Sequence, residues 1–248
     1  MADAPERGLM LRHGGLVARE AEGPALARAM ALRARCFMGE GGALRDADGH
    51  DAACRHLIVE DLSGRALCAL RWRGFDPGEV LRAAGNEAYD LAPLARWPGR
   101  LLEIGRFCTA PEARDGAALR MALAALTRIV VAERATLLFG SASFAGSDPA
   151  RHGAALAWLG AHHLADPAFR PRRRAREAVP LAGPIGDPRA ARAGLPPLLR
   201  SYLGMGGVVS DHTVIDRGMN TLHVLCMVDV AKIPPGRVRA LRALAFGP

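Results

Sequence analysis

The sequence predicts one mixed α/β layer, a mostly antiparallel central sheet with helices on both faces. Three observations predict it. Helical and strand-like patterns alternate along the 248 residues, with no internal repeat. Two apolar runs flank the tetrapeptide Asp61-Leu62-Ser63-Gly64, which signals a hairpin. A strand–helix–strand unit, Leu101 to Ala142, occupies the centre and is expected to be right-handed. The length suits a single domain, residues 1–248, with an extended C-terminal part from about 180 to 248.

The first helix is expected over Pro24 to Phe37. Proline fits the first helical position, and Leu26, Met30, Arg33 and Phe37 share one face. An arginine on an apolar face either reaches outward or has a buried polar partner. Gly39 to Ala53 reads as a polar loop carrying Asp46, Asp48 and Asp51. Cys54–Glu60 and Ala66–Trp72 are the hairpin strands, and Leu101–Thr109 is a third strand, stopped by Pro111. Asp115 to Arg134 is a long amphipathic helix with Leu119, Leu123, Leu126 and Val130 on one face. A strand at Leu137–Ala142, helices at Ala154–Leu164 and Pro197–Leu203, and a late strand at Leu222–Val230 complete the reading. The run Arg170 to Arg176, RPRRRAR, and the proline- and glycine-rich stretch after it read as a loop within the domain.

Composition narrows the function. Half the residues are hydrophobic, 23% are charged and 5% are aromatic, which excludes wholesale disorder. No stretch is apolar for long enough to span a bilayer, and MADAPERG lacks the features of a signal peptide. The expected location is the cytoplasm, with peripheral contact to the inner face of the membrane. Five cysteines without a C-x-x-C pair argue against a zinc ribbon, a thioredoxin site or a disulfide framework. All five are expected to be buried small side chains. No metal site is expected. The net charge of +8 favours an acidic partner: nucleic acid, anionic lipid or acidic protein. Few aromatics and no recognisable nucleic-acid motif turn the choice away from nucleic acid.

Glu103 and Arg106 carry the sharpest chemical signal. A glutamate within an apolar strand costs free energy unless it is paired or working, and a buried ion pair with Arg33 or Arg71 would explain it structurally. Three residues apart, Glu103 and Arg106 face opposite sides of a regular strand, unless a bulge at Gly105 intervenes. Cys108 has no neighbouring histidine to activate it, so it is not expected to act as a nucleophile. His162-His163 diverge on a helix, and the contiguous Ser210-Asp211-His212 does not suit a catalytic triad.

The ordered set of helical Arg33 and Phe37, loop Asp48 and Asp51, strand Arg71, and strand Glu103 and Arg106 resembles the acyl-homoserine lactone synthases, which have a GNAT-like acyltransferase fold. The remainder departs from them. LLEIGRFC, LLFGSASFAGSDP, LPPLLRSYLGMGG and VIDRGMNTLHV are similar to the L-ornithine N-alpha-acyltransferases of ornithine-lipid synthesis, and this resemblance runs from about Leu16 to about Pro234.

The resemblance implies attack of the ornithine α-amine on the thioester of a 3-hydroxyacyl carrier protein, giving lyso-ornithine lipid. No resident cofactor is implied; the donor is the acyl-phosphopantetheine of the carrier protein. Glu103 becomes the expected base, with Arg106 beside it, and Arg33, Phe37, Asp48, Asp51 and Arg71 line the acceptor site. The segment Arg114-Asp115-Gly116-Ala117 opens a helix whose N–H groups suit the phosphodiester. Ala113 stands where coenzyme A-dependent relatives carry Gln or Arg, which fits a carrier-bound donor. Arg170, Arg172, Arg173, Arg174 and Arg176 would dock the acidic carrier protein or an anionic lipid, while a solvated loop is the plain alternative. Alternatives for the whole chain are another acceptor such as glutamine, a homoserine-lactone synthase, or a non-catalytic carrier-, lipid- or nucleic-acid-binding module.

Overall fold

The computed structural model describes residues 10–39, 46–113 and 116–247. The chain forms two compact units. The first takes Met1–Arg73, Ile104–Arg134 and Gly236–Pro248, and the second takes Gly74–Glu103 and Ala135–Pro235.

In the first unit, β1 (Met10–His13), β2 (Leu16–Glu20), β3 (Arg55–Asp61) and β4 (Ala66–Phe75, which runs on past the unit's border) pair antiparallel in chain order. The later half of β6 (Arg100–Thr109) lies next to β4. Helix α1 (Gly23–Met38) packs on β3, and α2 (Ala117–Ala132) packs on β1, β2 and β3. Helix α6 (Pro235–Phe246) closes the chain.

Local chemistry explains these elements. Pro24 opens α1, and Ala25, Ala29 and Leu32 fall on its buried face by helical spacing. Gly39, at φ 75°, ends it, in a left-handed region open to glycine. The β3–β4 turn is knotted by Asp61, whose Oδ1 accepts hydrogen bonds from the Ser63 N–H at 2.9 Å and the Arg65 N–H at 3.1 Å.

In the second unit, the early half of β6 pairs parallel with β7 (Ala135–Ala145). Strand β7 pairs antiparallel with β12 (Thr221–Asp229) along all nine residues of β12. Strands β11 (His212–Asp216) and β9 (Ala178–Pro180) extend the sheet, and β10 (Val208–Val209) pairs with β12. The pair β5 (Tyr89–Asp90) and β8 (Arg172–Arg173) stands apart. Helices α3 (Gly153–His162), α4 (Pro188–Ala193) and α5 (Pro197–Leu203) complete it. Leu156 and Leu159 of α3 and Leu199 of α5 bury against Leu222 and Val224 of β12.

The expected class holds: a mixed, mostly antiparallel α/β architecture. Several details differ from the sequence reading. RPRRRAR is not a plain loop, since Arg172 and Arg173 form a strand against Tyr89 and Asp90. Not every cysteine is buried: Cys36 and Cys54 are partly exposed, while Cys68, Cys108 and Cys226 are buried. Strands β1, β2, β9 and β11 and helix α6 had no counterpart in the sequence reading.

Candidate active site

Arg33 answers its own question. It is fully buried on α1 and has buried polar partners. Its Nε donates to Asp46 Oδ2 at 2.9 Å, and its two terminal nitrogens grip Asp51 at 2.8 and 3.1 Å. Arg71 on β4 donates to Asp48 at 2.5 Å and to Asp51 at 2.7 Å. Arg106 on β6 reaches Asp46 and Asp48, each at 3.0 Å, and its guanidinium sits 5.8 Å from the Phe37 ring centre. Three arginines and three aspartates thus interlock, so their formal charges cancel. Such bidentate, charge-assisted contacts are what makes burial of these ions tolerable.

The loop aspartates also brace their own backbone. Asp48 Oδ1 accepts from the His50 N–H, and Asp51 Oδ2 accepts from the Asp48 N–H, both at 2.9 Å. The expected loop bracing is therefore present, alongside the arginine contacts. Burial opposes ionisation of Asp51, but the Arg33 and Arg71 hydrogen bonds and the Asp48 N–H outweigh it and hold its pKa well below the usual carboxylate range. Asp48 is lowered as well, burial being overcome chiefly by Arg71. Burial works against the charge on Arg71, and the two aspartates more than restore it. Nearby His56 is pushed toward its neutral form by burial and by Arg33 and Arg71.

Asp46 is a member that the sequence reading left out of the site. It is buried and joins Arg33 to Arg106. Its signal was present: it opens the same short acidic run as Asp48 and Asp51.

The strand irregularity falls one residue later than expected. Arg106 itself, not Gly105, has the positive φ, at 52°. A left-handed arginine costs roughly 1–2 kcal/mol, and its ion pairs with Asp46 and Asp48 hold it there. Gly105 serves another purpose. A Cβ there would lie 3.1 Å from Arg71 Nε, so the glycine makes room for that side chain.

Glu103 belongs to the second unit and is 7% exposed. Its Oε2 accepts from the Ala84 N–H at 3.0 Å and its Oε1 from the Gly85 N–H at 2.6 Å. The loop it holds is itself knotted by Asn86, which donates to the Leu81 carbonyl and accepts from the Leu91 N–H. The Arg33 or Arg71 pairing raised from sequence is replaced by aspartate partners for both arginines. A Cβ at Gly85 would meet Glu103 Oε1 at 3.2 Å, so glycine permits this close approach.

Gly116 caps α2 with φ 71°, and no acidic residue occupies that helix's first turn, which begins at Ala117. Arg114 and Asp115 lie outside the described residues. Arg170 is half-buried and spends its guanidinium on the Ala165 carbonyl at 2.9 and 2.6 Å. Arg173 donates to the backbone carbonyls of Ala175 and Arg176, and Arg174 pairs with Asp90 at 3.8 Å. Arg172, Arg173, Arg174 and Arg176 remain exposed.

Cys108 is unsuited to nucleophilic attack, because its hydrogen bond with Cys36 and its burial push its thiol pKa well up. Ser210 Oγ donates to the His212 carbonyl, not to the imidazole, while His212 Nδ1 meets Asp211 at 2.7 Å. That is a local backbone arrangement and not a triad.

Comparison with known proteins agrees with this architecture. The model of the acetyltransferase (GNAT) domain matches residues 32–124, drawn from both units. A solved CoA-dependent acyl-homoserine lactone synthase with MTA shares the fold, with TM-score 0.51 and 13% identity over 90% of this chain and 82% of that one. An L-ornithine N(alpha)-acyltransferase of Rhodobacter capsulatus is 39% identical over 74% of this chain and 74% of its own length. One of Rhizobium meliloti is 30% identical over 93% of this chain and 85% of its own. The protein is an acyltransferase, and its chain belongs to the L-ornithine N(alpha)-acyltransferase family.

Proposed function

We propose that the protein transfers a 3-hydroxyacyl chain from acyl carrier protein to the α-amine of L-ornithine, forming lyso-ornithine lipid as the first step of ornithine-lipid synthesis. The observation that carries the acceptor is the 39% identity to an L-ornithine acyltransferase. In this reading residues 1–248 work as a single acyltransferase domain.

Glu103 is the base in this reading. An ornithine α-amine arrives protonated, and a carboxylate takes the proton directly or through one water. Two backbone N–H groups fix the Glu103 carboxylate. The neutral nitrogen then attacks the thioester carbon and the oxygen gains negative charge; as the carbonyl re-forms the C–S bond breaks, and the proton given up by the new amide nitrogen leaves with the carrier thiol. Backbone N–H groups where β6 is irregular at Arg106 would serve the developing oxyanion. The first-turn N–H groups of α2, after Gly116, would receive the donor's phosphodiester, and Arg114 and Asp115 would flank them.

Among the acceptor residues, Asp48 is the one to meet the ornithine side-chain cation. Asp51 already accepts four hydrogen bonds and its side chain is 10% exposed, whereas Asp48 is 26% exposed and accepts fewer. Arg33, Arg71, Arg106 and Phe37 would hold that loop in place. Exposed Arg172, Arg173, Arg174 and Arg176 suit an acidic carrier protein. Among the described residues no helix is long and apolar enough to cross a membrane, which is compatible with a cytoplasmic enzyme working at the inner membrane face.

The test is acyl transfer in vitro. Purified protein is given 3-hydroxyacyl carrier protein or 3-hydroxyacyl coenzyme A with each of several amino acids. Thiol release is followed and the lipid identified by mass spectrometry. Lyso-ornithine lipid from the carrier-bound donor is the expected product. Turnover only with coenzyme A would overturn the donor, and a different acylated amino acid would overturn the acceptor.

A further inference from the structure

Helix α6 carries Arg237, Arg239 and Arg242 and no acidic residue. Val238, Leu241 and Ala245, spaced three and four apart, form its more covered side, and Ala245 is fully buried. Leu244 and Phe246 are left 40% and 49% exposed in the last turn. That turn is braced. Arg128 of α2 donates to the Ala245 carbonyl at 2.5 Å, and the guanidiniums of Arg128 and Arg242 lie 5.5 and 5.8 Å from the Phe246 ring centre. Val131, one turn beyond Arg128 on the same side of α2, is 52% exposed.

At helical spacing Arg239, Arg242 and Phe246 fall on one exposed side of α6, while Arg237 and Leu244 fall on its other flank. Guanidiniums lie over the Phe246 ring, which is still 49% exposed. We propose that α6 docks this protein on an anionic lipid bilayer. The arginine guanidiniums meet lipid phosphates, while Phe246 enters the upper acyl region. Charge complementarity selects an anionic partner. The exposed Phe246 ring beside Arg239 and Arg242 favours a bilayer over an acidic protein, because a bilayer accepts both at adjoining depths. The inference deepens the lipid-product reading, giving that product a surface to leave into. Its test uses no acyl donor, so the two readings fail separately.

The full chain is sedimented with vesicles of phosphatidylcholine alone and with vesicles containing one-third phosphatidylglycerol, across a salt series. Binding is expected only to the anionic vesicles and weakens as salt rises. The variant Phe246→Ser and the triple variant Arg237→Gln/Arg239→Gln/Arg242→Gln should each lose at least tenfold in partitioning. Arg172→Gln/Arg173→Gln/Arg174→Gln should bind as wild type does. The Phe246→Trp variant keeps an aromatic ring at the braced position, and its fluorescence should be quenched by brominated acyl chains. Equal binding to both vesicle types overturns the proposal, as does an unquenched Trp. So does capture of an acidic carrier protein that depends on the three α6 arginines in a chain that ignores vesicles.

Discussion

Two buried strand glutamates in this molecule are held in different ways. Glu60 on β3 is neutralised by side chains: Arg19 donates to it at 3.0 and 2.7 Å, and Arg28 at 2.6 Å. Those arginines are 36% and 39% exposed, while Glu60 is 4% exposed. Glu103 on β6 is held instead by the backbone N–H groups of Ala84 and Gly85. Burial of a carboxylate in a strand is thus not by itself a sign of catalysis. A guanidinium partner screens a carboxylate and ties up its oxygens. Backbone N–H groups fix the direction of the Glu103 carboxylate through the chain itself.

The strongest way to break this contrast is Glu103→Gln. The amide keeps the shape and removes the base, so kcat should fall by about 10²–10⁴. Unchanged turnover would put Glu103 in the same structural class as Glu60. Arg33→Met tests the other extreme, ions caged by ions. It leaves Asp46 and Asp51 short of a buried partner, and urea unfolding should show a loss of about 3–5 kcal/mol.

Acid sharpens the comparison further. Asp48 and Asp51 have folded pKa values below their unfolded ones. Their contribution is therefore full above the unfolded value, near 3.9, and is lost as pH falls through the lower folded values. Urea midpoints should ease down below about pH 6.5, where the unfolded chain protonates His56 that burial keeps neutral in the fold, and drop again below about 4. Arg71→Gln should start lower and lose less on acidification; an identical acid slope would remove Arg71 from the cause.

Glu60→Gln is the control. It should cost about 1–3 kcal/mol in stability, since its partners reach water, and leave the turnover rate within about twofold. A large rate loss there would erase the distinction between the two glutamates. Asp48→Asn should raise the KM for ornithine roughly tenfold with kcat nearly kept, as expected when one charge-assisted contact to the substrate is lost. A fall in kcat at constant KM would place Asp48 outside acceptor binding.

Much of the scaffold was legible because its signals are local. The span of α1 follows from Pro24 and helical spacing, and the β3–β4 hairpin from a turn that Asp61 closes on itself. Helix α2 follows from its own periodicity, and strand β12 from a short, largely apolar run. The short strands β1, β9 and β11 were illegible because a strand of a few residues draws its stability from the neighbour it pairs with. The strand within RPRRRAR exists because residues 89 and 90 come to meet it, and no local property of seven mostly basic residues announces that.

The candidate site divides in the same way. The sequence by itself determined which ionisable groups stand out: Arg33 on an apolar face, a loop dense in aspartate, and glutamate and arginine within an apolar strand. Tertiary structure alone decided who partners whom. It matched Arg33 with Asp46 and Asp51, joined Arg71 and Arg106 through Asp48, and brought two backbone N–H groups 18 and 19 residues away onto Glu103. The reason is physical. The cost of burying a charge is a property of the residue type and can be read in one dimension. The contact that offsets it depends on direction and distance, and those exist only once the chain has folded.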